Sequence, residues 1–186
     1  MSPGGHLVTT ALACGAAYAA TGSPAFTAGM AAGGFLIDID HVVDYVLFEG
    51  RRDLRPAAFL RYYLEGHAQR AVLLLHSYEL AALLILLASA TGWAWLWGYC
   101  LGMGLHLPLD IIFNGRFAPG GLVGFYSFAC RRRAGFRMNR FWDAARLAPL
   151  EENFWVTFFR GARLRDAQPK PGRAPAEALD PGRLAH

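Results

Sequence analysis

Lysine is almost missing from this chain: Lys170 stands alone against 17 arginines in 186 residues. Charge of any sign is also scarce, at 17% of residues where soluble proteins carry roughly 25%. The three cysteines, Cys14, Cys100 and Cys130, are odd in number and far apart, and no CxxC occurs. That excludes a disulfide framework and a thiolate zinc site. No lysine or arginine precedes the first apolar run, as a secretory signal would need, so no cleavage is expected there and His6 is expected to remain. The net charge of +4 would suit nucleic acid. The arginines instead cluster between and after apolar segments, as the positive-inside rule expects of a membrane protein, so no nucleic-acid partner is expected.

What the chain does have is apolar sequence, at 54% of residues. Four segments stand out: Leu7 to Ala20, Ala25 to Ile39, Ala71 to Ala90 and Trp93 to Phe113. A spanning helix needs roughly 20 apolar residues, which the last two meet. The first two are shorter and rich in Ala and Gly, suited to close helix–helix packing. Arg51, Arg52, Arg55, Arg61 and Arg70 lie between the second and third segments, and Arg131, Arg132, Arg133, Arg137 and Arg140 follow the fourth. The turns Thr21–Pro24 and Thr91–Gly92 are uncharged. Four spans with both termini cytoplasmic satisfy this distribution. Aromatic and charged residues alternate over 135–163, as in interfacial helices. Residues from about 166 to 186 are Pro-, Gly- and Ala-rich, the composition of a disordered tail, and His186 at its end is assigned no role.

Acids and histidines inside or beside such segments are costly unless paired, metal-bound or catalytic. In Asp38-Ile39-Asp40-His41, Asp38 and His41 share a helix face, and Asp44 is the i+4 partner of Asp40. A solvated helix end is the plainer reading, but acids at a C-terminus oppose the helix dipole. His76 and Glu79 are i,i+3 within the third segment, where a His–Glu pair could simply glue helices. His106 and Asp110 are i,i+4 around Pro108 and could share one metal or flank two; the plainer reading is a kinked helix end. His6 alone is a weak signal, and His67 in a basic loop reads as solvated. Ser77 has no nucleophile elbow around it. The four-span topology nevertheless brings His6, Asp38, Asp40, His41, His76, Glu79, His106 and Asp110 to one side and one depth. Histidine with carboxylate at helical spacing is how a divalent-metal site is built.

These residues resemble the membrane-bound metal-dependent hydrolases, a family that includes a LexA-regulated inner-membrane protein. The likeness rests on Gly5-His6-Leu7, Ile37-Asp38-Ile39-Asp40-His41, Leu75-His76-Ser77 and His106-Leu107-Pro108-Leu109-Asp110, in that order, with Pro119-Gly120 and an arginine-rich stretch after them. It covers roughly residues 5–140. Ile37 stands where the family has proline, and the family's His-Arg-Gly before the third motif has no counterpart. The family is distantly similar to zinc-dependent phospholipase C, which implies a cluster of two or three metals and phosphoester hydrolysis. The resemblance carries over His6, Asp38, His41, His76, His106 and Asp110 as ligands, with Asp40 and Glu79 as further candidates.

The sequence therefore predicts an all-α fold: a four-helix transmembrane or membrane-embedded bundle with C-terminal interfacial helices, one domain over 1–165. The expected function is hydrolysis of a phosphoester, possibly lipid-borne, at the cytoplasmic face of a bacterial inner membrane. The expected cofactor is a divalent metal, zinc by ligand type, with manganese or iron as alternatives. Glu79 or Asp40 would act as general base, and Arg51, Arg52 or the 131–133 cluster would hold an anionic headgroup. The alternative is a non-enzymatic membrane protein that uses the same cluster for a structural metal or for ion or proton transport.

Overall fold

A computed structural model describes residues 1–118, 120–150 and 153–165. The predicted tail with His186 lies outside the described residues, as does Pro119 of the resemblance. The described chain is all-helical, and its only β pairing is two isolated bridges. Its helices are α1 (Pro3–Thr21), α2 (Pro24–Gly34), α3 (Ile39–Leu47), α4 (Pro56–Leu64), α5 (Tyr78–Thr91), α6 (Ala94–Asn114), α7 (Phe128–Arg133) and α8 (Phe154–Arg160).

The helix ends follow local chemistry. The Ser2 and Ser23 hydroxyls accept the N–H groups of Gly5 and Phe26, with Pro3 and Pro24 opening α1 and α2. Gly22 and Gly92 close α1 and α5 in the left-handed conformation, φ 60° and 66°, which forms the two uncharged turns.

The centre of the fold is the pair α2 and α6. Gly29 and Gly33 face Gly98 and Gly102, and at each a Cβ would overlap backbone: the carbonyls of Trp95, Tyr99, Phe26 and Met30 in turn. Two Gly-x-x-x-Gly faces thus put backbone against backbone, as the small residues of the second segment predicted. α1 lies along α2, and α5 along α6. Met103 and Leu107 of α6, Ile37, Leu73 and Leu122 fill the adjacent core.

Three expectations are corrected. The second segment is not one helix: Phe35 breaks it, a 3-10 turn spans Leu36–Asp38, and α2 meets the following helical stretch at a 46° bend. The third segment is helical only from Tyr78, and α5 has 14 residues, short of a span. Its first seven residues, 71–77, run as a loop into the core. The cause is polar: Asp44 Oδ2 accepts the N–H groups of Val72 (2.6 Å) and Leu73 (3.1 Å), and Asp40 Oδ2 those of Leu75 (2.9 Å) and His76 (3.3 Å). A helix would use those donors on itself. Leu73 takes a left-handed φ of 42° in that path. The interfacial helices expected over 135–163 shrink to two 3-10 turns and the seven-residue α8. Phe141 and Trp142 turn inward instead, onto Phe125 and Phe117 with ring centroids 5.6 Å and 5.4 Å apart.

Among the described residues one helical stretch, Ala94–Phe117, is long and apolar enough to cross a membrane. The bent pair Pro24–Gly34 and Leu36–Leu47 makes a second if it counts as one broken span.

Candidate metal centre

Six of the predicted residues, with Asp40, meet at one place. His6 comes from the first turn of α1, Asp38 from the 3-10 turn, Asp40 and His41 from α3, His76 from the inserted loop, and His106 and Asp110 from α6. Three overlapping groups have ligand atoms within 4.8 Å of one another: His6–His106–Asp110, Asp38–His76–His106 and Asp40–His41–His76. These groups could hold a metal ion.

The middle group fits a metal best. His76 Nε2 and His106 Nε2 are 3.1 Å apart, and Asp38 Oδ1 lies 3.2 Å from the first and 3.5 Å from the second. Ligands held about 2.0–2.1 Å from a tetrahedral ion are separated by roughly 3.3 Å, so this triangle has the edges of one tetrahedral face. The outer nitrogens are fixed as well. His106 Nδ1–H donates to the Gly34 carbonyl (2.9 Å), and His76 Nδ1–H donates to Asp40 (3.0 Å to Oδ1). Each bond leaves Nε2 to face inward, the carboxylate–histidine and carbonyl–histidine supports that metal sites use. The α2–α6 packing brings Gly34 to His106, so the glycine faces set one ligand's tautomer.

The site is open on one side. His76 and His106 are 1% and 0% exposed at the side chain, while Asp38 and His41 are 36% and 25% exposed. His41 Nδ1 lies 3.3 Å from Asp40 Oδ1 and 3.6 Å from Asp38 Oδ1 but has no hydrogen-bond partner. Behind the triangle, the His6 ring stacks on His106 at 3.9 Å, and His6 Nε2 contacts Asp110 Oδ1 at 2.8 Å. His6 Nδ1 is also buried without a partner. Asp110 is crowded with donors: the Met1 amino group, Asn114 Nδ2 (2.9 Å) and the Tyr126 hydroxyl (3.1 Å). Burial and the Asp110 carboxylate push the Tyr126 phenol well above its ordinary pKa, so it remains a donor.

Burial alone would lower the His76 pKa, but Asp40 and Asp38 outweigh it and hold the imidazole above its ordinary value. The cluster thus favours positive charge at this position, which a divalent ion also supplies.

Two candidates have other roles. Glu79 belongs to none of the three groups; its carboxylate accepts the Ser127 hydroxyl (2.7 Å) and the N–H groups of Phe128 (2.8 Å) and Ala129 (3.0 Å), capping α7. Since His76 lies outside α5, the predicted His76–Glu79 face does not form. Asp40 has its oxygens engaged by the His76 ring and the loop backbone, contacts that position His76. Arg131 is fully buried rather than available to a headgroup. Its guanidinium donates to the carbonyls of His76 (2.9 Å), Leu73 (2.8 Å) and Phe125, clamping the loop's carbonyls where Asp44 holds its N–H groups. Burial lowers its pKa, with Asp40, Glu79 and Asp44 opposing. Arg51 lies over the Tyr62 ring at 5.0 Å. His67 is exposed beside Glu65, as its reading as a solvated residue anticipates.

The loop anchors Asp44 and Arg131 and the donors Asn114 and Tyr126 were not singled out for these roles by sequence. Asp44 left a trace, as the i+4 neighbour of Asp40. Arg131 was hidden among equivalent arginines. Compared with protein-family models, curated proteins and solved structures, the chain matches none.

Proposed function

We propose that this protein is a membrane-embedded metal-dependent hydrolase acting on phosphoesters, with its site at the cytoplasmic face of a bacterial inner membrane. The observation that carries the reading is the triangle of His76 Nε2, His106 Nε2 and Asp38 Oδ1, supported from behind and open at Asp38 and His41. Catalytic metal sites keep three protein ligands and an open position, whereas structural sites are closed. Histidine with carboxylate suits zinc, with manganese or iron as alternatives. When bound, the ion supplies Lewis acidity and lowers the pKa of the water it holds.

The chain's own residues supply the rest. His76, His106 and Asp38 would hold the ion, and Asp40 and Gly34 orient the two rings. His41 Nδ1, buried 3.3 Å from Asp40 Oδ1 and 3.6 Å from Asp38 Oδ1, would steady the two carboxylates beside the ion. His6 and Asp110 back the triangle and offer ligands for a second ion.

Membrane embedding is supported by apolar surface. α5 buries only Ala88, and leaves Leu83, Ile85, Leu86 and Leu87 outward, beside Trp95, Trp97, Leu101, Ile112 and Phe113 of α6. Exposed large apolar side chains on two helices that pack together are what a bilayer would cover, and soluble monomers rarely expose large apolar patches.

The test is elemental analysis of detergent-purified protein beside His76→Ala/His106→Ala, followed by hydrolysis of a phosphodiester such as bis(4-nitrophenyl) phosphate. The expected result is bound metal and chelator-sensitive hydrolysis, both lost in the double variant. Absence of metal after reconstitution would refute the reading. Metal without hydrolysis of any phosphoester would favour the structural-metal alternative.

A further inference from the structure

We propose that a second cleft, remote in composition from the metal centre, binds a phosphate-bearing anion through Arg70, Arg137 and Arg140. The cleft has a volume of about 960 Å³ and lies between residues 66–70, which lead into the inserted loop, and residues 137–145. Arg70 and Arg137 are partners in an isolated antiparallel bridge. Residues directly opposite in such a pair project to the same side with Cβ atoms about 5 Å apart, and like charges there repel. The structure nevertheless places these two arginines side by side, and Arg140 joins them three residues on.

Among the described residues, no carboxylate lies within ion-pair distance of Arg70, Arg137 or Arg140. The carboxylate in the lining, Asp143, is turned onto the Ala145 N–H at 3.1 Å. Glu49, the nearest acid to the Arg70 backbone, is taken by the N–H groups of Gln69 and Arg70 and by the Tyr62 hydroxyl. A topology signal alone would need only arginines spread over a solvated face. Convergence on a concave surface is what recognition of an anion requires.

The support is rigid. Met138 N–H donates to the Gln69 carbonyl (2.8 Å) and Ala71 N–H to the Phe136 carbonyl (2.9 Å), locking the two stretches in register. Phe141 and Trp142, which also line the cleft, are partly buried and pack against the core. Guanidinium forks match the oxygens of a phosphate bidentately, and two forks from one bridge can grip a single tetrahedral anion. Asn139 and Gln69 add neutral hydrogen-bonding groups to the lining. The ligand is therefore a phosphate group, free or carried on a lipid headgroup. This site does not depend on the metal reading.

The test titrates the detergent-purified full chain, in EDTA and at fixed ionic strength, with sodium phosphate. A parallel titration uses mixed micelles of phosphatidylglycerol in phosphatidylcholine. EDTA removes any contribution from a metal centre. Saturable binding of either probe is expected, weakened about tenfold or more in Arg70→Gln/Arg137→Gln and unchanged in Arg165→Gln. Binding of phosphate itself identifies a small-anion site; binding of phosphatidylglycerol alone identifies a headgroup site. Circular dichroism and the melting temperature establish that the double variant is folded, and Arg137→Gln alone replaces it if it is not. No saturable binding of either probe, or equal binding by the folded variant, overturns the proposal.

Discussion

Replacing Asp40 by asparagine separates a positioning role from a catalytic one. Asp40 takes the His76 Nδ1–H at 3.0 Å on Oδ1, and the N–H groups of Leu75 and His76 at 2.9 Å and 3.3 Å on Oδ2. Asparagine keeps the shape but offers one acceptor oxygen where the carboxylate offers two. Either the ring or the loop backbone then loses its partner. Loss of a carboxylate that supports a ligating histidine weakens metal binding by about 10–100-fold, or roughly 1.4–2.7 kcal/mol. The unsatisfied buried donor costs about 1–3 kcal/mol of fold stability besides. The assay is competition for zinc against a chromophoric chelator, beside Asp38→Asn and His76→Ala, with melting temperatures of all three. Asp40→Asn should fall between wild type and the two variants that lose a ligand, and should melt lower than wild type. Zinc affinity equal to wild type would refute the support role. Affinity as poor as that of His76→Ala would make Asp40 itself a ligand. Unchanged affinity with lost turnover would restore it as the base.

The remaining predictions test the frame around the site. Gly33→Ala drives a Cβ into the Tyr99 carbonyl; overpacking of this kind costs about 1–3 kcal/mol, and zinc binding should weaken with it because the Gly34 carbonyl moves from His106. Thermal melts with and without zinc read both effects. Arg131→Met strips three buried carbonyls of their donor, with an expected loss on the order of 3 kcal/mol in denaturant titration; a loss under 1 kcal/mol would show the loop is held without it. Zinc affinity should rise with pH through the neutral range, because the ion displaces a proton from His76, whose pKa is held above the ordinary value. Calorimetry in two buffers of different ionisation enthalpy should detect that proton, and its absence would contradict the His76 assignment. The sign reverses for folding without metal. The raised His76 pKa stabilises the fold fully below the ordinary histidine value, and that contribution fades as pH rises through the raised one.

Much of the site was legible in the sequence because its parts are local and out of place. An acid or histidine in an apolar run is conspicuous on a single reading. His6, Asp38, His41, His76, His106 and Asp110 were all found that way, and the structure gathers them. The same logic failed for Glu79: its spacing from His76 implies a shared face only if the helix is continuous, and Asp40 and Asp44 hold His76 in the loop before α5 while Glu79 turns to Ser127–Ala129. The third apolar segment misled for a related reason. Hydropathy measures what a segment can bury, and both a spanning helix and a loop threaded through a core bury apolar side chains.

The sequence by itself determined the all-helical class and the positions of the two uncharged turns, because these depend on residues near one another in the chain. It also determined which ionisable groups had to find partners, since desolvation is costly wherever the chain takes them. Only the tertiary structure decided which partners those were. Asp44 holds the loop by its N–H groups and Arg131 by its carbonyls, Gly34 sets the tautomer of His106 across 72 residues, and Arg70 meets Arg137 across one bridge. Each is a contact between segments whose separation along the chain carries no trace of their distance in space.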